Sequence, residues 1–262
     1  MNRHNSRPIV LCLSGHDPIG GAGLQADIEA IAAQQCHAAP AVTALTIQDT
    51  ANVSDFRVLD HDWIIAQARA ILNDVPVAAV KLGMLGSGSM VRTACEVIHM
   101  ASSAPVVCDP VLRAEGGGAL GEDDVGYILR EELLPLAFIT TPNLPEARIM
   151  AELPDGTADQ CAAVLLKYCK NLLITGGHGP ESQLHNRLYM QDGSFHDIVQ
   201  QRLPGKYHGS GCTLASALAG RLALGEALPG AVQSALDYTW RTLRDAEAPG
   251  KGQYIPRRFP IA

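Results

Sequence analysis

Residues 8–35, PIVLCLSGHDPIGGAGLQADIEAIAAQQ, contain a strand, a glycine-rich turn and a helix in immediate succession. The segment begins with a short apolar run, which predicts a buried strand. Near its end, apolar side chains recur at Leu24, Ile28 and Ile31, the spacing of one face of a helix. A strand that leads directly into a helix is the unit from which parallel sheets are built.

The same alternation of short apolar runs and longer helical patterns continues along the chain. Strands are predicted at 8–13, 41–48, 77–85, 105–112, 137–141 and 171–177, and helices at 24–35, 61–74, 90–101, 123–134, 142–152, 162–169, 212–224 and 229–247. One stretch differs: RLYMQDGSFHDIV (187–199) has two short runs around Asp192-Gly193, which predicts a β-hairpin. We therefore predict an α/β fold with a mostly parallel central sheet, helices on both faces and a small antiparallel hairpin.

The composition fits one domain over residues 1–262 and limits its partners. Hydrophobic residues make up 47% of the chain and charged residues 18%, enough apolar material for a thick core. The formal net charge of -7 disfavours nucleic-acid binding, because nucleic-acid-binding proteins usually carry an excess of Lys and Arg. Seven cysteines without a C-x-x-C pair, no signal-peptide pattern and no long apolar run indicate a cytoplasmic protein with reduced thiols and no membrane partner.

Function is expected in the loops after the strands, because ligands of open α/β sheets bind beyond the carboxyl ends of the strands. In the loop SGHDPIGGAG (14–23), glycines allow a ligand to approach closely, and Asp17 caps the turn or contacts a ligand hydroxyl. An ordinary strand-to-helix turn is the alternative. GGGALG (116–121) matches G-x-G-x-x-G, but the acidic residues after it would repel a pyrophosphate, so a substrate-covering loop is favoured over a dinucleotide site.

Several other site patterns are missing from the sequence. It contains no G-x-x-x-x-G-K-[ST], which excludes a P-loop, and no H-E-x-x-H or Cys–His pairing at metal-ligand spacing, so we propose no zinc site. It also contains no G-x-S-x-G elbow, and a serine hydrolase acting through Ser210 is a weaker alternative.

The stretch HGSGCTLASALAG (208–220) is the most informative. Gly209 and Gly211 let successive N–H groups point at one spot, and the start of a helix adds positive potential, which together suit an anion or charge that develops during a reaction. The same field lowers the pKa of a thiol, so we expect Cys212 to be partly thiolate and to act as a base. The alternative is a turn with a buried, inert cysteine.

Two acidic elements follow other predicted strands. Asp109 ends the strand in VCDPVL, and Asn143 and Glu146 begin a helix. Oxygen ligands at strand ends suit Mg²⁺ that is held jointly with substrate phosphates. A helix cap or a surface carboxylate is the alternative for each of these residues.

Seven motifs, SGHDPIGGAGLQADI, TALTIQDT, VKLGML, VCDPVL, TPNLPEA, ITGGH and HGSGCTLASALA, occur in this order over most of residues 8–245. With them the chain resembles the hydroxymethylpyrimidine/phosphomethylpyrimidine kinases of thiamine biosynthesis, within the ribokinase-like superfamily. The resemblance implies a three-layer α/β/α sandwich that uses ATP and Mg²⁺. It also implies a homodimer, and phosphorylation of 4-amino-5-hydroxymethyl-2-methylpyrimidine and then of its monophosphate to the diphosphate.

The resemblance implies three groups of site residues. The pyrimidine pocket is implied to contain Gly15, Asp17, Ala22, Gly23, Gln48, Met84 and Val111. The nucleotide phosphates are implied to contact Asp109, Asn143, Glu146, Thr175 and Gly177, with Mg²⁺ held through the phosphates by Asp109 and Glu146. The anion hole is implied to be Gly209, Ser210, Gly211 and Cys212. An amide such as Gln48 offers the donor and the acceptor that an aminopyrimidine edge requires.

This sequence departs from the family pattern at two places. The turn is GSGC where GTGC is commoner, which keeps the hydroxyl. Thr175 stands where some members have a lysine for the nucleotide phosphates, so Lys206, another lysine or Mg²⁺ would have to neutralise that charge. Most of the wider superfamily has an aspartate base at position 212, whereas pyrimidine kinases and related pyridoxal-phosphorylating enzymes can have cysteine. A pyridoxal kinase of the same fold and a non-catalytic pyrimidine sensor are the alternatives.

Overall fold

The computed structural model describes residues 6–101, 103–112, 124–176 and 182–259. The strands among these residues form one nine-stranded sheet. They are β1 Ile9–His16, β2 His37–Gln48, β3 Val53–Val58, β4 Val77–Leu82, β5 Val106–Cys108, β6 Ile139–Thr140, β7 Asn171–Ile174, β8 Gln183–Met190 and β9 Phe195–Gln201. The helices are α1 Gly23–Ala33, α2 His61–Asp74, α3 Gly88–Met100, α4 Val125–Ile128, α5 Leu144–Ala151, α6 Ala158–Leu165, α7 Ser210–Ala223 and α8 Leu228–Arg244. A π-helical segment, Leu129–Leu133, and a 3-10 turn, Leu134–Leu136, continue α4.

The strand order is β3-β2-β1-β4-β5-β6-β7-β8-β9. The pairs from β2 through β1 to β7 are parallel, whereas β3 pairs with β2, β8 with β7 and β9 with β8 in antiparallel fashion. From β1 the chain turns to one side to form β2, and later returns to add β4 and β5 on the other side. The connections therefore reverse direction between β1 and β4, which is where ligands bind in open α/β sheets.

Helices cover both faces of the sheet, and β1 shows how its sequence divides between them. Val10 and Cys12 pack with residues of α1, α7 and α8, whereas Leu11 and Leu13 pack with residues of the helices from α2 to α6. All four side chains are fully buried, because a central parallel strand is covered on both faces. The predicted three-layer α/β fold is confirmed.

The predicted elements are mostly confirmed, with differences at their ends. The hairpin around Asp192-Gly193 forms between β8 and β9, with Gly193 at a positive φ of 84°. β3 was not predicted, since it is an edge strand whose charged and polar residues hide the apolar signal. α6 begins earlier than predicted because Thr157 and Gln160 form a capping box before it. The loop GGGALG (116–121) lies outside the described residues.

Within the described ranges, the helices are too short or too polar to cross a membrane.

Candidate active site

A cavity of about 480 Å³ opens at the carboxyl ends of the parallel strands. It lies where the connections of β1 and β4 diverge, and the first turn of α7 forms part of its wall. Every predicted site residue that the structure describes lines it: Gly15, Asp17, Ala22, Gly23, Gln48, Met84, Asp109, Val111, Asn143, Glu146, Thr175, Gly209, Ser210, Gly211 and Cys212. Gly177 lies outside the described residues. The fold thus brings the predicted residues together, while their individual roles stay predictions.

The GSGC turn is built against the first glycine-rich loop. α7 begins at Ser210, two residues earlier than predicted, and its N-cap Gly209 has a left-handed φ of 83°. A Cβ atom at Gly209 would collide with the carbonyl of Gly21, so only glycine permits both this conformation and this contact. Because the first N–H groups of a helix lack partners within the helix, this turn presents positive potential to the cavity.

Asp17 caps its own loop, which was one of the two predicted roles. Its two carboxylate oxygens accept hydrogen bonds from the N–H groups of Ile19 and Ala22, at 2.9 and 2.8 Å. His208, which the sequence analysis did not assign, contacts the same carboxylate at 2.9 Å from Nε2 to Oδ2. Burial alone would raise the pKa of Asp17, but His208 and the two N–H groups outweigh burial and lower it. The pair joins the first loop to the GSGC turn.

The expectation that Cys212 is partly thiolate is wrong for the ligand-free protein. The side chain reaches the cavity but is only partly exposed. Burial raises the pKa of its thiol to about 12, and the negative charge of Asp109 adds to the rise. Lys81 and the Gly23 N–H act in the opposite direction without reversing it. The helix terminus was visible in the sequence, whereas the depth of burial was not.

Asp109 is a buried carboxylate at the carboxyl end of β5. The side chain of Asp109 is almost fully enclosed, and burial raises its pKa, while Lys81 and a hydrogen bond from Cys212 lower it. Within the described part of the chain, its Oδ2 atom has no hydrogen-bond partner. A buried carboxylate oxygen without a partner is costly unless a ligand or ion completes it.

Asn143 and Glu146 form the capping box of α5, the alternative that the sequence analysis left open. Asn143 Oδ1 accepts a hydrogen bond from Glu146 N at 2.9 Å, and Glu146 Oε2 accepts one from Asn143 N at 3.0 Å. Both residues also line the cavity, so capping and ligand contact do not exclude each other. The cap fixes the orientation of the Glu146 carboxylate.

The acidic residues fit Mg²⁺ only together with a phosphate-bearing substrate. Among the described residues, no group of three or more His, Cys, Asp or Glu side chains is gathered as a metal site. Asp109 Oδ2, which has no hydrogen-bond partner among the described residues, and the Glu146 carboxylate nevertheless line the same cavity. Two such carboxylates suit an ion that binds few protein oxygens. Mg²⁺ characteristically binds through one or two carboxylates plus substrate phosphates.

The far end of the cavity lies between the β8–β9 hairpin and α8. Thr175 lines it without a positive charge, but Lys206 and Arg202 line the same cavity. Trp240 of α8 also contributes, and its Nε1 donates a hydrogen bond to the Gln201 carbonyl at 2.8 Å. Arg202 and Trp240 were not among the predicted site residues. The polar segment that leads from the hairpin back to the GSGC turn was the available signal.

A cavity that combines a helix start suited to anions with strand-end carboxylates is typical of a phosphotransferase of the α/β class. Comparison with known proteins gives the family. The model of the phosphomethylpyrimidine kinase family matches residues 17–257, and the chain belongs to this family.

Curated relatives and solved structures agree with this family. The chain is 38% identical over 251 residues to the hydroxymethylpyrimidine/phosphomethylpyrimidine kinase of Mycobacterium tuberculosis strain H37Rv, covering 94% of this chain and 91% of that protein. It is 35% identical to the enzyme of the same name from Haemophilus influenzae, over 87% and 88% of the two chains.

Among solved structures, an ADP complex of Bacillus subtilis pyridoxal kinase has a TM-score of 0.88 at 26% identity, covering 97% of this chain and 98% of that one. A phosphomethylpyrimidine kinase from Clostridium difficile has a TM-score of 0.77 at 30% identity, covering 89% and 98%. The resemblance noted from the seven motifs is confirmed.

Proposed function

We propose that this kinase transfers a phosphoryl group from ATP to the hydroxymethyl group of 4-amino-5-hydroxymethyl-2-methylpyrimidine, and then a second one to the monophosphate, with residues 1–262 acting as one domain. The continuity of the cavity carries this proposal. Gln48, Met84 and Val111, the GSGC turn, and Asp109 and Glu146 all line this one cavity. A pyrimidine and a nucleotide could therefore both bind beside the turn that would hold the phosphoryl group.

The reaction needs positioning and charge stabilisation more than covalent chemistry. The first turn of α7 would bind the transferring phosphoryl group, since its N–H groups and dipole favour negative charge. In a loose transition state the hydroxyl proton leaves late, so a strong base is not required. Cys212, protonated in the ligand-free site, then acts as a neutral wall of the anion hole.

The nucleotide side uses the carboxylates and the basic residues of the cavity. Asp109 and Glu146 would hold Mg²⁺ through the phosphates, and the ion would neutralise phosphate charge when bound. Lys206 lines the cavity and is the candidate to replace the lysine that some members have at position 175. Asn143 keeps the Glu146 carboxylate in place through the cap.

An ATP-consumption assay on the hydroxymethylpyrimidine, its monophosphate and pyridoxal tests the proposal. We expect turnover of both pyrimidines, and omission of Mg²⁺ should abolish it. Turnover of pyridoxal alone would contradict the proposal. Binding of the pyrimidine without ATP consumption would indicate a sensor.

A pyridoxal kinase is the second candidate because of one observation. The pyridoxal kinase of Bacillus subtilis superposes with a TM-score of 0.88, against 0.77 for the phosphomethylpyrimidine kinase of Clostridium difficile. The higher sequence identity to the named pyrimidine kinases and the family model favour the pyrimidine. The three-substrate assay separates the two.

The homodimer that the resemblance implies is also part of the proposal. Size-exclusion chromatography with light scattering should give twice the chain mass of 27.8 kDa. A monomer at working concentration would remove this part and leave the proposed reaction untouched.

A further inference from the structure

A buried ion pair lies in the core behind the GSGC turn. Lys81, on β4, and Asp27, on α1, have fully buried side chains, and Lys81 Nζ lies 2.8 Å from Asp27 Oδ1. Neither residue lines the cavity. Charged side chains that are wholly withdrawn from water are rare, because their desolvation is costly.

The pair is tied to the elements that form the site. Lys81 Nζ donates a hydrogen bond to Ser14 Oγ at 3.1 Å, at the end of β1 where the first loop begins. Ser216 Oγ donates a hydrogen bond to Asp27 Oδ1 at 2.6 Å. Ser216 follows Cys212 by one turn of α7, so both residues occupy the same face of that helix. The pair therefore contacts the start of the first loop and the helix that begins at the GSGC turn.

The positive end of the pair is the one nearer the cavity. Lys81 Nζ donates to Ser14, which lines the cavity, whereas Asp27 accepts from Ser216, which does not line it. Burial disfavours the charge of Lys81, but Asp27 and then Cys212 and Asp109 outweigh burial and raise its pKa above the ordinary value. Lys81 thus stays protonated.

Stability alone gives little reason for such a pair. Apolar residues of similar volume in place of a buried ion pair are often neutral or stabilising. The sequence nevertheless leaves space for the ammonium group, since a Cβ atom at Gly83 would collide with Lys81 Nζ and Ser14 Oγ. In the low-dielectric interior a fixed charge acts over a longer distance than it does in water.

We propose that Lys81 is a positioning residue for phosphoryl transfer. Held by Asp27 behind the GSGC turn, its positive charge adds to the potential that this turn presents to the phosphoryl group. This inference rests on the proposed function, but its consequence for anion binding is independent of the pyrimidine. Lys81 acts through the turn and makes no contact with the substrate.

The test removes both charges together, because Lys81→Met alone would leave Asp27 buried without its partner. The double variant Lys81→Met/Asp27→Leu should fold, with a thermal midpoint near that of the parent. We expect its affinity for inorganic phosphate, measured by calorimetry, and its kcat each to fall about tenfold or more, with KM for the pyrimidine nearly unchanged. A folded double variant with the parent's phosphate affinity and kcat would overturn the proposal.

A control removes an ion-pair cluster elsewhere. Arg130, only 7% exposed, lies 2.9 Å from Glu131 Oε1 and 3.0 Å from Glu152 Oε2, outside the cavity lining, and Glu152 itself is 69% exposed. Arg130→Met/Glu131→Gln/Glu152→Gln should leave the phosphate affinity unchanged. An equal loss of affinity in this control would also overturn the proposal, because the effect would then not depend on the position of Lys81.

A second variant keeps the proposal testable if the double variant does not fold. Lys81→Gln/Asp27→Asn keeps polar groups beside Ser14 and Ser216 but removes both charges. Phosphate affinity should again fall about tenfold, and an unchanged affinity in this variant would contradict the proposal. Because the phosphate measurement uses no pyrimidine, a parent enzyme that binds phosphate but does not phosphorylate pyrimidines would refute the proposed function alone.

Discussion

Cys212 and Asp109 shift each other's pKa in opposite directions. The Asp109 carboxylate makes the thiol harder to ionise, whereas the thiol donates a hydrogen bond that makes Asp109 easier to ionise. Before ligands bind, burial raises the pKa of both groups, and the thiol keeps its proton. A neutral thiol is compatible with the passage of an anionic phosphoryl group, since a thiolate would repel it.

The ionisation of Cys212 can be measured through its reactivity. Only the thiolate is alkylated, and with a pKa of about 12 its fraction keeps rising through the alkaline range. In a Cys95→Ser background, the rate of iodoacetamide labelling at Cys212 should increase about tenfold per pH unit from about pH 7 to 10 without a plateau. Mass spectrometry locates the label. A plateau in the labelling rate near pH 8.5 or lower would show that the pKa of the Cys212 thiol is not raised.

Asp17 provides a second prediction for a single residue. Its folded-state pKa is lowered, so the stability that it contributes is complete above its unfolded pKa of about 3.9 and is lost as the pH falls through the folded value. Asp17→Asn should lower the free energy of unfolding by about 1–3 kcal/mol at neutral pH, with a smaller difference in the acid range. Denaturant unfolding at several pH values measures this.

The control for Asp17 is another capped turn. Asp49 also accepts two backbone N–H bonds, from Ala51 and Asn52, but it is fully exposed to solvent. Asp49→Asn should leave the stability nearly unchanged at every pH. If Asp17→Asn and Asp49→Asn lost the same free energy of unfolding, burial of the Asp17–His208 contact would not explain the loss at Asp17.

At the start of α5 the same two residues both cap the helix and line the cavity. The Asn143–Glu146 box caps the helix and also places a carboxylate in the cavity. Glu146→Gln preserves the cap, because glutamine accepts the same N–H bond, but removes the charge. We expect a change in unfolding free energy below about 0.5 kcal/mol and a fall in kcat/KM for MgATP of about tenfold or more.

The second capping box in the chain controls for the Glu146 variant. Thr157 and Gln160 form the same motif at the start of α6, outside the cavity lining. Gln160→Glu exchanges the same two residue types in the opposite direction and should leave the kinetics unchanged. Loss of stability in Glu146→Gln comparable to loss of the whole cap would contradict the separation of roles.

How far the elements could be predicted depends on where each lies in the sheet. Central strands such as β1 are apolar on both faces, so their pattern is clear in the sequence. β3 lies at the edge, where polar residues are tolerated, and its pattern is weak. Lys81 lies within the apolar motif VKLGML, and no local pattern shows that Asp27, on another element, pairs with it. Contacts between residues on separate elements depend on the fold and are not visible in the local sequence.

Arg258 joins the far end of the described chain to the site. Its guanidinium donates hydrogen bonds to the Gly20 and Gly21 carbonyls and to Thr213 Oγ1, and it lies 3.2 Å from Glu29 Oε2. The side chain is fully buried. One residue thus holds the first loop and the start of α7 together, although all of its partners are distant in sequence.

Replacing Arg258 should affect stability and substrate binding together. Arg258→Met leaves two loop carbonyls without a donor, and we expect a loss of about 2–4 kcal/mol and a fall in the thermal midpoint on the order of 5–10 °C. KM for the pyrimidine should rise, because the first loop lines its pocket. Calorimetry and steady-state kinetics measure both effects.

The neighbouring residue gives the control for Arg258. Arg257 Nε lies 3.5 Å from Glu247 Oε1, with Arg257 partly and Glu247 largely exposed. Arg257→Met should cost no more than about 0.5 kcal/mol and leave KM unchanged. Equal effects at positions 257 and 258 would refute the assigned role of Arg258.

The contact between Gly209 and Gly21 also has a consequence for protein synthesis. The loops that meet there are 191 positions apart along the chain at the Asp17–His208 hydrogen bond, and Arg258 reaches Gly21 from 237 positions away. A ribosome can deliver most of the parallel strands before His208, Gly209 and Arg258 have left the exit tunnel. The sheet can therefore begin to assemble during translation, whereas catalysis cannot. Premature termination before the GSGC turn would therefore yield a chain without the anion-binding turn and without activity.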